Sequence, residues 1–332
     1  MNAVTTISPQ RRFGWLLRRE FWEHRNGLLI APLVTGLLSL LLTALALFAA
    51  IGLGRKANGN IQVNGEQVSI NGLDLAALTQ QMGPSDQQQL ADVVNFSLLL
   101  GSYWPLLVMA MVVFFYCLGA LYDDRRDRSI LFWKSLPVSD LSTVLSKLVT
   151  ALVVAPLLAI AISALTMFGY LLLMMAAVAW LGGDASVLIW QPASITTLLA
   201  THLAWLPTYS LWALPCVGWL LLCSAFARRV PFLWALVPPL LGGALLSATG
   251  LVTVLGISHG SLWGQGVARL LLGTVPGIDQ AWLKAANPDY TPAHLPGQAL
   301  DALGLPSLWL GALFGAACVV LAVILRRRSD DS

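Results

Sequence analysis

Residues 122–147 read YDDRRDRSILFWKSLPVSDLSTVLSK, a stretch dense in charged and bulky apolar side chains. Asp123 to Arg128 form a mixed-charge run. Ile130, Leu131, Phe132 and Trp133 follow as four consecutive apolar residues, and Pro137 ends that short element. Ser139 is placed to cap the next helix, with Asp140 in its first turn, where a carboxylate favours the partial positive charge of a helix start. The chemistry on offer is non-covalent. A short helix with protruding apolar side chains, kept out of a bilayer by charged flanks, can fill a groove on a partner. Equally, Phe132 and Trp133 can dip into a lipid interface.

Bond-making chemistry finds little footing elsewhere. A phosphate-cradling loop needs Gly-x-x-x-x-Gly-Lys-Ser/Thr. The lone Lys-Ser pair, Lys134-Ser135, has no glycine at that spacing. There is no His-Glu-x-x-His, no Gly-x-Ser-x-Gly and no cysteine pair at zinc spacing. Gly264-Gln265-Gly266 reads as a turn. Cys117, Cys216, Cys223 and Cys318 all fall in apolar runs; small buried hydrophobes are the favoured reading over a metal or redox site. None lies in an expected outer loop, which excludes a structural disulfide there. The chain is therefore expected not to be an enzyme, with no catalytic residue, no metal and no cofactor bound by itself.

The elements that position residues 122–147 follow from hydropathy and charge. Of the residues, 57% are hydrophobic and 11% charged, well below the roughly 25% charged of a soluble domain, and mean hydropathy is +0.75. Fifteen of nineteen Lys and Arg residues lie in four clusters: Arg11 to Arg25, Arg125 to Lys147, Arg228 with Arg229, and Arg326 to Arg328. Arg55, Lys56, Arg269 and Lys284 stand apart. Basic residues are retained on the cytoplasmic side of a bilayer. With all four clusters inside, the intervening runs cross an even number of times. About 20 apolar residues cross a hydrocarbon core, and six runs qualify: 27–53, 96–122, 148–181, 200–227, 231–255 and 307–325. The expectation is an all-α polytopic membrane protein with both termini cytoplasmic. Trp22, Trp104, Trp133, Trp180 and Trp190 fall near expected span ends, as an interfacial belt requires. The basic residues sit at membrane borders, so the net charge of +3 does not indicate a nucleic-acid partner.

This divides the chain into a cytoplasmic segment 1–26, a six-helix domain 27–325 and a charged tail 326–332. Outer loops are expected at 54–95, 182–199 and 256–306, and a cytoplasmic segment at 123–147. Asn58-Gly59, Asn64-Gly65 and Asn71-Gly72 suggest short hairpin strands such as 61–63 and 67–70. The third run needs a kink or an extension, with Pro156 or Gly169 as break points. The loop 256–306 holds apolar pieces too short to cross, which suits re-entrant or interfacial elements. In Pro9–Asn26, Phe13, Leu16, Leu17 and Phe21 share a helical face, Arg11, Arg12, Arg18, Arg19 and Arg25 lie opposite, and Glu20 and His24 intrude on the apolar side. That helix is either an anchor on anionic lipid or a lateral elbow moving with a partner. All acidic residues fall in loops, tails or span ends, so no buried charge is expected, which argues against an ion-coupled carrier.

Tyr116, Thr166, Tyr170, His202, Thr208 and Tyr209 are candidates to line a substrate path; most such groups bond to their own helix, and an ordinary interfacial position is the favoured reading of His202. A path of this kind would be mainly apolar. Gly311 and Gly315 mark a closely packing face, for a dimer or within the subunit. Pro207, Pro215, Pro238 and Pro239 are hinges or static kinks.

The run LYDDRRDRSILFWKSLPVSD, followed by Lys147 opening a long span, resembles permease subunits of bacterial ABC-2 type transporters. Tyr122, Asp124, Arg125, Arg128, Ser129, Phe132, Trp133, Lys134, Ser135, Leu136, Pro137 and Lys147 carry the resemblance, and the elbow helix, six spans and large last outer loop extend it over nearly the whole chain. It implies a type V exporter-like architecture in a bacterial inner membrane, and a second permease copy as homo- or heterodimer partner among the membrane lipids. It implies a separate ABC ATPase subunit that uses ATP and Mg. The coupling residues implied are Asp124, Arg125, Arg128, Ile130, Leu131, Phe132, Trp133, Lys134, Leu136 and Pro137. The cargo expected is amphipathic or hydrophobic: lipid, peptide or drug-like. A membrane scaffold without transport, or less readily an ion-coupled carrier, stands as the alternative.

Overall fold

The computed structural model describes residues 8–56, 60–63, 66–69, 82–127, 139–254, 256, 258–278 and 301–328. Six helices are long and apolar enough to cross a membrane: Asn26–Leu53, Pro84–Arg126, Asp140–Trp180, Ser186–Phe226, Pro231–Ala248 and Pro306–Arg328. The chain is a multi-pass membrane protein. The spans agree in number with those read from the sequence, but the second, third and fourth are much longer and the fifth stops at Ala248, short of the expected 255, just before Gly250 at φ 68°. Helices of 43, 41 and 41 residues reach about 60 Å at 1.5 Å per residue, twice a hydrocarbon core. The second helix begins at Pro84, twelve residues before the expected start, because hydropathy marks only the part that can sit in lipid. A hairpin pairs Asn60–Val63 with Glu66–Ser69, Val63 opposite Glu66 and Ile61 opposite Val68. Asn64-Gly65 separates the two strands in sequence.

The third span runs Asp140–Val149, then a π turn at Thr150–Val154, then Ala155–Trp180. The break therefore lies just before Pro156, and Gly169 sits in unbroken helix with Leu40 packed against it. Proline removes the N–H that would bond the carbonyl four residues back. In an apolar setting that carbonyl needs another donor. Four such carbonyls find one here. Ser210 Oγ shares its proton between Leu152 O at 2.9 Å, behind Pro156, and Leu206 O of its own helix at 2.8 Å. Arg269 Nη2 donates to Leu211 O at 3.4 Å, behind Pro215. The Cys223 thiol lies 3.6 Å from Trp234 O, behind Pro238, and Trp219 Nε1 donates to Ala235 O at 3.0 Å, behind Pro239. All four Cys are buried.

The chain forms two compact units. One comprises Met1–Ile30, Leu107–Leu158 and Thr201–Ser332; the other Ala31–Leu106 and Ala159–Ala200. The second unit is centred on Val94, Leu98, Met167, Leu171, Leu188 and Ile189. Asn95 fastens it by donating to Pro192 O and accepting from Ser194 N. The first unit holds two apolar clusters, Trp205, Trp212, Ala302 and Leu308 in one and Leu121, Val144, Ala225, Val319, Ala322 and Val323 in the other. Within it the fourth and sixth spans approach closely: a Cβ on Gly218 would stand 2.5 Å from Gly315 O, and one on Gly315 2.5 Å from Leu214 O. The Gly311-x-x-x-Gly315 face is thus filled by contacts inside the chain.

Candidate functional site

The first unit carries a buried ionic cluster assembled from four elements. The N-terminal helix Pro9–Glu23 turns Leu16 and Glu20 inward while Trp15 and Trp22 stay exposed, with Arg18 and Arg25 each 5.9 Å from the Trp ring beside it. The intrusion of Glu20 on an apolar face is therefore no defect in the pattern. Glu20 is 0% exposed. It accepts from Tyr116 Oη at 2.9 Å, from Arg19 at 2.7 Å, and pairs with Lys147 Nζ at 3.3 Å. His24 meets the Tyr116 ring edge-on at 4.8 Å.

Lys147 of the third span also lies 3.6 Å from Asp124 Oδ2. The same oxygen accepts from Arg326 Nη1 at 3.1 Å, and Arg326 Nε donates to Asp140 Oδ1 at 3.0 Å. Lys147, Asp124 and Arg326 are all buried. The expectation that no charge is buried is corrected here: these acids do lie at span ends, but the N-terminal helix and the neighbouring spans seal them from solvent. With Arg19 and Asp140 included the cluster holds three acids and three bases, and exposed Glu23 adds a fourth acid at its edge, 3.5 Å from Arg19 Nε. That balance is what makes burial tolerable, since removing one partner leaves an uncompensated charge.

Arg125 performs a separate task. Its Nη2 donates to Ser224 O and to Ala227 O, the last carbonyls of the fourth span, where a cation suits the negative end of the helix. In return Ser224 Oγ accepts the N–H groups of Leu121 and Tyr122. Ser139 caps the third span by accepting from Ser142 N at 3.2 Å, as its sequence position predicts.

A further buried cation, Arg269, follows the fifth span in sequence and sits against the fourth and sixth. Arg269 stacks on Trp212 at 4.2 Å and donates to Trp212 O, Ser307 O, Leu211 O and Leu308 O. Burial pushes its guanidinium down to about 10, so it remains charged at neutral pH. The fork fits because Gly311 leaves room: a Cβ there would stand 2.1 Å from Nη1.

Of the coupling residues read from the sequence, Asp124 and Arg125 are in this junction, whereas Arg128, Ile130, Leu131, Phe132, Trp133, Lys134, Leu136 and Pro137 lie outside the described residues. Of the six path candidates, Tyr116, His202, Thr208 and Tyr209 belong to the first unit and Thr166 and Tyr170 to the second. Tyr116 belongs to the ionic cluster. Thr166 donates to Ile162 O, Tyr170 bonds Thr43, Tyr209 donates to Thr274 O, Thr208 is buried, and His202 is half-buried. None of them lines an apolar cavity of about 490 Å³ in the first unit, walled by Phe114, Phe115, Phe232, Leu240, Trp263 and Leu271 among others. Within the second unit a smaller hollow of about 260 Å³ lies between Phe48 and Trp180. Among the described residues, no group of three or more His, Cys, Asp or Glu could hold a metal ion.

No family model matches the chain, and no curated protein or solved structure matches it.

Sequence reasoning missed Arg326, Asp140, Glu20 and Arg269 as functional positions. Glu20 and His24 on an apolar face were a usable signal, as was Arg269 standing outside the basic clusters. Nothing in the triplet Arg326 to Arg328 distinguishes its first member, since only the helical phase turns it inward.

Proposed function

We propose that this chain is the membrane-spanning permease subunit of an ATP-driven transporter of ABC-2 type, in a bacterial inner membrane, working as a pair of permease chains with separate ATPase subunits. The observation that carries the reading is the junction at residues 122–147. The motif that resembles the family's coupling segment leaves the second span and enters the third through Asp124, Arg125 and Lys147, and these three side chains bind the ends of the fourth and sixth spans and the N-terminal helix. A push on such a segment has rigid contacts to act through. In this reading the basic ends are cytoplasmic, ATP closure of the partner acts on residues 128–138, and the chain itself performs no hydrolysis. The cargo is amphipathic or hydrophobic, which the apolar lining of the 490 Å³ cavity supports.

The test is purification of the tagged chain in mild detergent, alone and as the Phe132→Ala/Trp133→Ala variant. A stoichiometric ATPase that is lost or uncoupled in the variant is the expected result. A folded chain with no ATPase in either preparation would turn the reading to a scaffold. Uptake or export driven by an ion gradient without ATP would turn it to a carrier.

A further inference from the structure

The two flanks of residues 128–138 meet on one side chain. Asp124 closes the second span and Asp140 opens the third, and Arg326 of the sixth span donates Nη1 to the first and Nε to the second. A planar guanidinium with donors in a rigid fork holds its acceptors in a fixed relation. Asp124 in turn lies beside Lys147, whose ammonium reaches Glu20 of the N-terminal helix. Each cation thus serves two acids on different elements.

We propose that Arg326 and Lys147 form a two-cation relay, in which Arg326 ties Asp124 of the second span and Asp140 of the third to the sixth span and Lys147 passes displacement of Asp124 to the N-terminal helix through Glu20. The proposal rests on reading residues 128–138 as the point where a partner pushes. Burial of Glu20, Asp124, Lys147 and Arg326, with Asp140 at the partly exposed edge, gives the relay its all-or-none character. An acid that moves away alone would strand a charge in an apolar setting, so the linked side chains move together or the cluster breaks. Arg326 and Lys147 are positioning residues, acting through Asp124, Asp140 and Glu20.

Amide hydrogen exchange of the full-length chain in mild detergent tests this, comparing Arg326→Gln, Asp140→Asn and Lys147→Met with the parent. Arg326→Gln is expected to speed exchange in both Tyr122–Arg126 and Asp140–Val149, on the order of a hundredfold. Asp140→Asn is expected to speed only Asp140–Val149, and Lys147→Met chiefly Pro9–Glu23. A rise confined to the last turn of the sixth span in Arg326→Gln, or an equal rise over all six spans, would overturn the relay. Should Arg326→Gln fail to fold, the segment-by-segment pattern of the other two variants decides. None of these readouts needs an ATPase. The expected pattern without a co-purifying ATPase sinks the transport reading alone, and an ATPase with the pattern absent sinks the relay alone.

Discussion

Replacing Gly311 by Ala would test whether the Arg269 clamp is built around that glycine. The new methyl carbon would stand 2.1 Å from Nη1 and 2.3 Å from Cζ. Ordinary contact requires the guanidinium to retreat by about 1 Å or more, which carries its bonds to Ser307 O and Trp212 O, now 2.8 and 3.1 Å, past hydrogen-bond range. A buried guanidinium stripped of its acceptors is an uncompensated charge, and about 3–5 kcal/mol of stability should be lost. Arg269→Met removes the charge and the clash together. Ser307, Leu308 and Trp212 keep the N–H of the residue four ahead, so their carbonyls lose little. Leu211 O has only Pro215 ahead of it and is orphaned, for about 1–3 kcal/mol. The double variant should therefore melt close to Arg269→Met and above Gly311→Ala. Apparent melting in detergent, followed by the loss of monodisperse protein on heating, reads all three. Additive losses, or a Gly311→Ala protein as stable as the parent, would refute the clamp.

Three further outcomes follow from the same geometry. Lys147→Met should cost about 3 kcal/mol, at the low end for a broken buried pair because Arg19 and Tyr116 still hold Glu20, and Lys147→Met with Glu20→Gln should recover most of it in the same melting assay. Ser210→Ala should cost about 1 kcal/mol by baring Leu152 O, whereas Thr249→Ala, whose hydroxyl bonds only carbonyls of its own helix at an exposed site, should cost less. Val230 is β-branched, precedes a proline and has φ 47°, so Val230→Gly should gain about 1 kcal/mol of melting stability by relieving that strain.

How much of this was legible beforehand depends on whether the signal is local. Six spans could be counted because each is a continuous apolar run bounded by charge, and Ser139 could be named as a cap because capping is decided within four residues. The starts of the second and fourth spans could not, since Pro84 to Asn95 is helical, and Ser186–Trp190 forms a π turn before the main helix begins at Ile195, yet both stretches are too polar for a hydropathy rule to include. The ionic cluster unites residues as far apart as 20 and 326, and only the phase at which each helix meets its neighbours selects Arg326 over Arg327. Tyr116 was read as a path residue because a tyrosine in an apolar run looks unpartnered, yet its partner is an acid 96 positions earlier.

Where the chain can bend depends on the carbonyls that its prolines free. A proline in a span is a hinge only if the carbonyl it frees can change partners at little cost. Behind Pro156, Pro215, Pro238 and Pro239 that carbonyl is already held by a side chain from another element, and three of the four donors, Ser210, Trp219 and Cys223, belong to the fourth span. Opening any of these kinks further would break a bond in a setting without water to replace it. The fourth span is in this way tied to the third and fifth by its side chains, and to the 259–272 stretch through Arg269. The kinks at Pro156, Pro215, Pro238 and Pro239 therefore act as fixed corners that keep carbonyl and donor facing each other. If a partner pushes on residues 128–138, as proposed, the motion must travel through contacts that can slide or exchange partners as a set, and the buried ions of Glu20, Asp124, Lys147 and Arg326 meet that description where these four proline kinks do not.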